Sequence, residues 1–365
     1  MKGENGRVNT LRLVVDSADL ETLRVRETLD RAAAILRGGG LLAFPTETVY
    51  GLGANALDAG AVARIFEAKQ RPAWDPVIVH ISGLAMLERL VAEVPESALR
   101  LMEAFWPGPL TLLLKRTAAV PDAVTAGRPL VGIRLPAHPV ALNLIERAGV
   151  PVAAPSANLF GHTSPTTAQH VLDDLDGRID AVLDAGATGL GVESTVLDAC
   201  KTPMVIYRPG AVTAEQIRAV GGPVTMFDAG KLQETPREAM PSPGVGIRHY
   251  APRARLVLVD SSPSDPRGIE ALEIFESLIE KAALNWPGER VGVLLPSRIT
   301  IDASWNDSNL IAYDWGFEAG EQARNLYAGL RALDAQGCTV IVCPLPPAEG
   351  IGAAIRDRLL KASHK

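Results

Sequence analysis

The chain has 365 residues, of which 47% are hydrophobic, 21% are charged and 5% are aromatic. Because a single hydrophobic core stops growing at about 250–300 residues, this length predicts two domains, and the apolar content excludes an intrinsically disordered chain. Thirty-six basic residues against forty-two acidic ones give a net charge of −6. A protein that coats nucleic acid normally carries a positive net charge, so the composition excludes that class.

Cysteine usage and hydropathy bear on the compartment. Cys200, Cys338 and Cys343 form neither a Cys-x-x-Cys pair nor an even disulfide set, which is typical of a reducing compartment. No apolar run approaches the ~18 residues of a membrane span, and the first residues lack a signal-peptide pattern. We therefore expect a cytoplasmic protein with no membrane contact.

From Leu11 onward, short apolar runs alternate with amphipathic stretches, which is typical of an α/β domain. The first predicted helix places on one face Leu20, Leu23, Leu29, Ala33 and Leu36. Strands are predicted at 41–44, 77–79, 110–114, 131–135 and 150–154, and helices at 84–91 and 98–105. Ser164 before Pro165 predicts a helix through Leu172, and the capping-box spacing of Thr213 and Gln216 predicts another.

We predict that the first domain comprises residues 11–220, and the composition changes after it. Residues 221–252 are rich in Gly, Pro and charge, and we interpret them as a linker, which at this length is usually functional. Strands are then predicted at 256–259, 291–295 and 340–342, with helices over 323–333 and 353–362. A further helix would carry on one face Ile269, Leu272, Phe275 and Ile279. This rhythm predicts a smaller, doubly wound parallel sheet at 253–365.

Two cations, Lys69 and Arg71, lie just before Pro72, where a predicted helix gives way to an extended segment. The residue before a proline is biased toward extended geometry, in which positions two apart point to the same side. The pair is a candidate phosphate clamp. The alternative is a solvated, basic helix end that the helix dipole favours.

Polar residues also follow predicted strands. Ser156 and Asn158 come just after 150–154, where α/β sheets place their ligands; the alternative is an ordinary turn. The segment 44–53 combines a proline, hydroxyls, a carboxylate and two glycines, which is typical of a binding loop that a ligand approaches closely. The alternative is that its hydroxyls serve as caps.

Arg134 lies in the apolar segment 131–136, where a charge is costly unless it is paired or faces a cleft. It is either a ligand-binding residue or half of a buried salt bridge. His80 ends the strand predicted at 77–79 and is a candidate site residue, with a capping or core histidine as the alternative. The sequence contains none of the common zinc-protease, nucleophile-elbow or P-loop motifs.

Nine motifs follow one another in an order that resembles one family. They are FPTETVYGLG (44–53), KQRP (69–72), PVIVH (76–80), WPGPLT (106–111), RLP with HP (134–139), PSAN with SPT (155–166), ESTV (193–196), RPG (208–210) and SPGVGIRHYAP (242–252). Over residues 20–361 the chain resembles the YrdC-type threonylcarbamoyl-AMP synthases in their longer, two-domain version. The Lys-x-Arg and Ser-x-Asn motifs are the family signature, and RHYAP marks the longer version.

The resemblance implies that L-threonine, bicarbonate and ATP condense into L-threonylcarbamoyl-adenylate with release of pyrophosphate, which makes the chain a nucleotidyltransferase. A downstream tRNA threonylcarbamoyl-transferase complex would place the group on an adenosine beside the anticodon, and a weak contact with tRNA is compatible with this role. The fold implied is a twisted, mixed, open α/β sheet beside a Rossmann-like C-terminal domain. Mg²⁺ would arrive on the ATP phosphates without direct protein ligands, and no organic cofactor is implied.

The resemblance also implies roles for individual residues. The nucleotide side would include Lys69, Arg71, Asp75, Asn158, Thr166, Arg208 and His249. L-Threonine would be held by Thr48, His80, Arg134, Ser156 and Ser194. Catalysis, mostly positioning and charge neutralisation, would fall to Lys69, Arg71, Ser156 and Asn158. A lid in the linker that excludes water would be formed by Arg248, His249 and Tyr250.

The chain departs from the family pattern at a few positions. Asp75 stands where asparagine is usual; an amide can donate to a phosphate oxygen, whereas a carboxylate would need Mg²⁺ between them. Phe160 replaces a small hydroxyl residue, and Leu130 replaces a common threonine.

Two other functions compete with the synthase. The first is a non-catalytic RNA-binding module, against which the acidic total and the sparse aromatic residues argue. The second is a carbamoyltransferase for another acceptor, but the related larger proteins add acylphosphatase and zinc-finger segments that this sequence lacks.

Overall fold

A computed structural model describes residues 9–228, 240, 242, 249–260, 273–275, 277, 279, 285–296 and 309–364. The chain divides into two compact units. The first comprises Met1–Phe160, Ser164–Gly189 and Glu193–Gly246, and the second Gly161–Thr163, Leu190–Val192 and Ile247–Lys365. Two short segments of the predicted first domain thus belong to the second unit.

Among the residues that the structure describes, the first unit contains a mixed sheet of twelve strands. Its strands are β1 (Leu11–Val14), β2 (Leu42–Pro45), β3 (Tyr50–Asn55), β4 (Ile78–His80), β5 (Val91–Glu93), β6 (Leu110–Arg116), β7 (Leu130–Arg134), β8 (Val152–Ala153), β9 (Ala181–Asp184), β10 (Thr195–Asp198), β11 (Met204–Arg208) and β12 (Val224–Met226). They lie in the order β1-β9-β2-β3-β8-β4-β7-β6-β10-β11-β12, with β5 paired to β6. This confirms the mixed α/β sheet of the sequence analysis.

Helices cover this sheet. They are α1 (Leu23–Arg37), α2 (Ala59–Lys69), α3 (Leu84–Leu90), α4 (Glu96–Phe105), α5 (Asp122–Thr125), α6 (Pro139–Ala148), α7 (Ala168–Leu175) and α8 (Ala214–Gly221). One buried apolar cluster includes residues of α2, α4 and α7, and another includes residues of α1 and α6. The capping box of α8 is present as predicted, since Thr213 and Gln216 bond each other's backbone.

Three predictions in this unit are wrong in detail. Helix α1 begins after the N-cap Thr22, so Leu20 lies outside it and Leu23 is 73% exposed. Ser164 does not cap a helix, because its hydroxyl donates to the buried Glu193 carboxylate (2.6 Å) and Thr167 caps α7 instead. Strand β12 occupies residues assigned to the linker, because Val224 pairs in parallel with Met204 of β11.

In the described part of the second unit there is a parallel sheet of four strands, as predicted for the C-terminal domain. Its strands are β13 (Arg255–Val259), β14 (Val291–Pro296), β15 (Leu310–Gly316) and β16 (Val340–Pro344), in the order β13-β16-β14-β15. Helices α9 (Ala319–Ala335) and α10 (Gly350–Ser363) belong to the same unit. Strand β15 escaped the sequence analysis because it is half-buried over most of its length and shows no continuous apolar run.

Of the further helix face predicted in this unit, Phe275 and Ile279 are buried in the core, whereas Ile269 and Leu272 lie outside the described residues. None of the helices that the structure describes is both long and apolar enough to cross a membrane.

Candidate active site

The turn between β2 and β3 is organised by the hydroxyl of Thr46. This hydroxyl donates to the carbonyl of Val49 (2.7 Å) and accepts from the backbone N–H of Thr48 (3.2 Å). The two threonine hydroxyls lie 2.8 Å apart, and Arg134 Nη1 donates to Thr48 Oγ1 (3.0 Å). Thr46 therefore stabilises this turn and caps no described helix, while Thr48 meets a candidate site residue.

The two glycines of the same segment, Gly51 and Gly53, lie inside strand β3. A Cβ at Gly53 would come within 2.8 Å of the Phe44 ring and 2.9 Å of Val152. These positions thus allow neighbouring strands to pack closely, so the predicted glycine-rich approach to a ligand is wrong for Gly53.

Arg134 ends β7 and forms a buried ion pair. Its Nη2 lies 2.7 Å from Glu47 Oε1, and its Nε donates to the carbonyl of Gly108 (3.2 Å). Burial by itself would raise the pKa of Glu47, but the charge and hydrogen bond of Arg134 hold this pKa below its usual value. The buried salt bridge that the sequence left as an alternative is therefore present, with a partner that the sequence analysis did not assign.

His80 is the register partner of Arg134 across the parallel strands β4 and β7. Its ring is buried and meets the ring of Phe44 edge-on, with centroids 6.2 Å apart. Burial, and then the charges of Arg134 and Arg208, lower the pKa of His80 well below its usual value. The imidazole is consequently neutral at pH 7 and can take part in hydrogen bonding without adding a charge.

Lys69 is the last residue of α2, and Gln70 adopts a left-handed conformation (φ 54°) that ends the helix. The prediction of an extended backbone is therefore wrong at Gln70. Lys69 is 1% exposed, and its ammonium donates to the carbonyl of Ser156 (2.6 Å) and to that of Asn158. Burial and the nearby Arg71 lower its pKa well below the usual value, so a solvated helix end is excluded.

Arg71 and Asp75 form an ion pair whose side chains are each 4% exposed, with 3.0 Å between Arg71 Nη2 and Asp75 Oδ2. The same guanidinium donates to the backbone carbonyls of Asp75 (3.1 Å) and Pro76 (2.7 Å). Burial raises the pKa of Asp75, while the charges of Arg71, Lys69 and Arg208 act against this rise. Asp75 thus lies within the field of three cations.

Arg208 ends β11 and is buried. It donates to the carbonyl of Ser194 (3.0 Å) and to its hydroxyl (3.1 Å), which lies 2.8 Å from the hydroxyl of Thr111. The charge of Arg208 helps to lower the pKa of His80 and opposes the rise in the pKa of Asp75.

The remaining candidates lie on loops. Ser156 pairs with Gly51 in an isolated bridge, and the side-chain amide of Asn158 donates to the carbonyl of Leu159 (2.7 Å). Thr166 is buried, with its hydroxyl 3.3 Å from His170 Nδ1.

The lid residues belong to the second unit as far as the structure describes them. Tyr250 is buried and has a left-handed backbone (φ 64°). Its ring stacks on that of Tyr327, with centroids 5.9 Å apart, and the guanidinium of Arg358 lies 5.2 Å from its centroid. The ring of His249 lies 4.3 Å from that of Tyr250. Arg248 lies outside the described residues. Closure over a substrate therefore stays a prediction.

The sequence analysis missed two residues that complete these contacts, Glu47 and Thr111. The signal that could have found Glu47 is a carboxylate within a short turn that also contains hydroxyls, given that the buried Arg134 needs a partner of opposite charge. Among the described residues, no group of three or more His, Cys, Asp or Glu side chains is placed to hold a metal ion.

Comparison with known proteins adds to this geometry. A family model described as "Telomere recombination" matches residues 34–210, and one described as "Threonylcarbamoyl-AMP synthase, C-terminal domain" matches residues 212–364. The threonylcarbamoyl-AMP synthase of Pyrococcus abyssi is 44% identical over 93% of this chain and 97% of its own length. The one of Bacillus subtilis is 42% identical over 98% of each chain.

A solved structure agrees with the fold over almost the whole chain. It is the crystal structure of P. abyssi Sua5 complexed with L-threonine, with a TM-score of 0.84 and 41% identity over 98% of this chain and 97% of that one. The similarity thus extends over both units.

Proposed function

The chain belongs to the threonylcarbamoyl-AMP synthase family, and from this premise we propose that it condenses L-threonine, bicarbonate and ATP into L-threonylcarbamoyl-adenylate and pyrophosphate. The enzyme is of the nucleotidyltransferase type. The observation that carries the proposal for this site is that Lys69, Arg71 and Arg208 are all buried, and that Arg71 is paired at 3.0 Å with the buried Asp75. Three buried cations are suited to a triphosphate, because they neutralise charge without reorganising.

The reaction joins two anions. Threonine and bicarbonate give a carbamate with loss of water, a carbamate oxygen attacks the α-phosphorus of ATP, and the bond to the β-phosphate oxygen breaks to release pyrophosphate. Positioning and charge neutralisation supply most of the rate in such phosphoryl chemistry. Lys69 and Arg71 would contact the phosphates, with Arg208 between them and the threonine side.

The proposed threonine site contains Arg134, Thr48, His80, Ser156 and Ser194. Arg134 has already engaged Nε with Gly108, one Nη1 proton with Thr48 and Nη2 with Glu47. A guanidinium has five N–H groups, so it can still offer one proton from each Nη to a substrate carboxylate. The pairing with Glu47 is thus compatible with the role proposed for Arg134, and it fixes the orientation of the guanidinium group.

Magnesium would accompany ATP and neutralise charge on the phosphate oxygens. The described residues fit such an ion at one buried carboxylate, Asp75, whose Oδ1 has no hydrogen-bond partner among them. The remaining proposed steps concern the surroundings of the reaction: the segment with Arg248, His249 and Tyr250 would exclude water from the carbamate, and a transferase complex would pass the group to tRNA in the cytoplasm.

The test measures threonine-dependent pyrophosphate release. The full chain is supplied with ATP, Mg²⁺ and bicarbonate, with and without L-threonine, and we expect release only when all substrates are present. Lys69→Ala and Arg71→Ala should each lower the rate at least about a hundredfold, since removing one preorganised donor typically costs that much. Release without dependence on threonine would instead support a carbamoyltransferase for another acceptor.

A further inference from the structure

Asp75 is a buried carboxylate with one satisfied and one unsatisfied oxygen. The residue is 3% exposed; Oδ2 is paired with Arg71 (3.0 Å), whereas Oδ1 is buried and has no hydrogen-bond partner among the described residues. A buried polar atom without a partner destabilises the folded chain, and more so when it carries charge. A ligand that pairs with Oδ1 would remove this destabilisation.

The ion pair with Arg71 does not by itself explain this carboxylate. Two backbone carbonyls, of Asp75 and Pro76, already hold the guanidinium at 3.1 and 2.7 Å. An uncharged side chain at position 75 would leave these two bonds in place. The carboxylate lowers the positive charge of a site that must bind a triphosphate, which is unfavourable unless the negative charge serves another purpose.

A carboxylate cannot donate to a phosphate oxygen, so its direct contact with ATP would be repulsive. Mg²⁺ removes this conflict, because in proteins it is usually held by one or two carboxylates together with substrate phosphates and water. The three cations around Asp75 would then face the phosphates, while the carboxylate faces the metal.

We propose that Asp75 ligates, through Oδ1, the Mg²⁺ ion that accompanies ATP, so that the protein itself holds the metal. This inference rests on the proposed function, since it takes ATP as the nucleotide. It replaces the expectation that the metal contacts phosphates and water alone, and it gives a purpose to the departure from asparagine at this position.

The experiment compares nucleotide affinity with and without metal. A non-hydrolysable ATP analogue is titrated calorimetrically into the full chain, once in EDTA and once in Mg²⁺. The affinity in Mg²⁺ is divided by the affinity in EDTA, for the parent chain and for Asp75→Asn. We expect this ratio to be at least about tenfold lower in the variant, the smallest loss typical of altered metal coordination. In EDTA the variant should bind at least as tightly as the parent chain, because the repulsion is gone.

A second measurement follows the metal directly. Mn²⁺ is titrated into the protein–analogue complex, and free Mn²⁺ is counted by electron paramagnetic resonance. Asp75→Asn should weaken Mn²⁺ binding, and Asp75→Glu, which keeps the charge, should weaken it less. The matched control is Asp174→Asn. Like Asp75, Asp174 raises the pKa of Lys69, but its carboxylate accepts a hydrogen bond from the backbone N–H of Leu159. This variant should bind Mn²⁺ with unchanged affinity.

Equal Mg²⁺ ratios and equal Mn²⁺ affinities for the parent chain and Asp75→Asn would overturn the inference and leave Asp75 as a partner of Arg71 only. Neither measurement needs threonine or turnover. A chain that fails to release pyrophosphate yet shows the Asp75-dependent ratio would contradict the proposed function and support the metal ligand. A chain that releases pyrophosphate but shows no dependence of the ratio on Asp75 would support the proposed function and contradict the metal ligand.

Discussion

The pair formed by Glu47 and Arg134 is the clearest case in which one buried charge depends on another. Their side chains are 15% and 4% exposed. Glu47→Ala leaves a buried guanidinium without its counter-charge, so we expect the unfolding transition of the first unit to lose about 3–5 kcal/mol in urea. Glu47→Gln should lose less, because its amide oxygen can still accept.

The matched control is an ion pair in water. Glu93 and Lys115 lie 2.7 Å apart, but their side chains are 63% and 60% exposed. Glu93→Ala should leave the urea midpoint almost unchanged, because solvent screens such pairs. Equal losses for Glu47→Ala and Glu93→Ala would mean that the buried pair adds nothing to stability.

His80 gives a pH dependence with a definite sign. Its pKa is lowered well below 6.5 in the folded chain, so the unfolded chain binds more protons as the pH falls through 6.5. Stability should therefore decrease below about pH 6.5, with His80 contributing up to about 1.4 kcal/mol per pH unit until its folded-state pKa is reached. His80→Asn should show a shallower slope in urea melts between pH 7 and pH 5; parallel slopes would contradict this assignment.

At the scale of single residues, the order of the motifs pointed to four cations that composition alone does not distinguish. The structure shows that all four are buried, namely Lys69, Arg71, Arg134 and Arg208, and their ligand roles stay predictions. Glu47 was missed because its partner lies far along the chain, and sequence spacing gives no information on such contacts. The unsatisfied oxygen of Asp75 likewise depends on tertiary burial.

Elements were predictable where the signal is local. The capping box of α8 needs only Thr213 and Gln216, which bond each other's backbone within one helical turn. Ser164 before Pro165 has an equally suitable pattern, but its hydroxyl is taken by Glu193 from a distant segment. A capping pattern therefore predicts a helix start only when no tertiary partner competes for the hydroxyl.

Strand β3 shows how sheet packing constrains a single position. A Cβ at Gly53 would meet Phe44, Val152 and the carbonyl of Leu42 at 2.8–3.2 Å, and these atoms belong to or adjoin neighbouring strands. We expect Gly53→Ala to destabilise the first unit by about 1–3 kcal/mol in thermal or urea unfolding, as overpacked cores do.

The control for this substitution is Gly320→Ala in α9. No atom lies within 4 Å of the Cβ that it would add, and alanine is the better helix former. Stability of the second unit should stay equal or rise slightly. A Gly53→Ala chain as stable as its parent would show that the sheet can relax around the methyl group.

At the scale of the whole molecule, the two units are not consecutive stretches of chain. Each is built from three segments, and the second takes Gly161–Thr163 and Leu190–Val192 from loops of the synthase portion. Within that unit, Ala251 donates to the carbonyl of Gly161 (2.8 Å), and Arg331 donates to that of Thr163. Composition could not reveal this exchange, because six residues are too few to show a pattern.

We therefore expect that cleaving the backbone between the two units does not separate the two fragments. If a specific protease site is introduced within 229–239 and cleaved, the two fragments should elute together in size-exclusion chromatography, because both contribute residues to the second unit. Gly191 lies at φ 75° against the backbone of Ala323 and Arg324, so Gly191→Ala should weaken this association. Gly186→Ala, at φ 86° with no atom within 4 Å, carries the same backbone strain and should not.

Fragments that part as readily in the parent chain as in Gly191→Ala would contradict this expectation. If the cleaved fragments stay together, we also expect that fragments produced separately and then mixed will associate, because each contributes segments to the second unit. From this interleaving we expect that a single break between the two units, from proteolysis or from a split gene, leaves the two fragments associated.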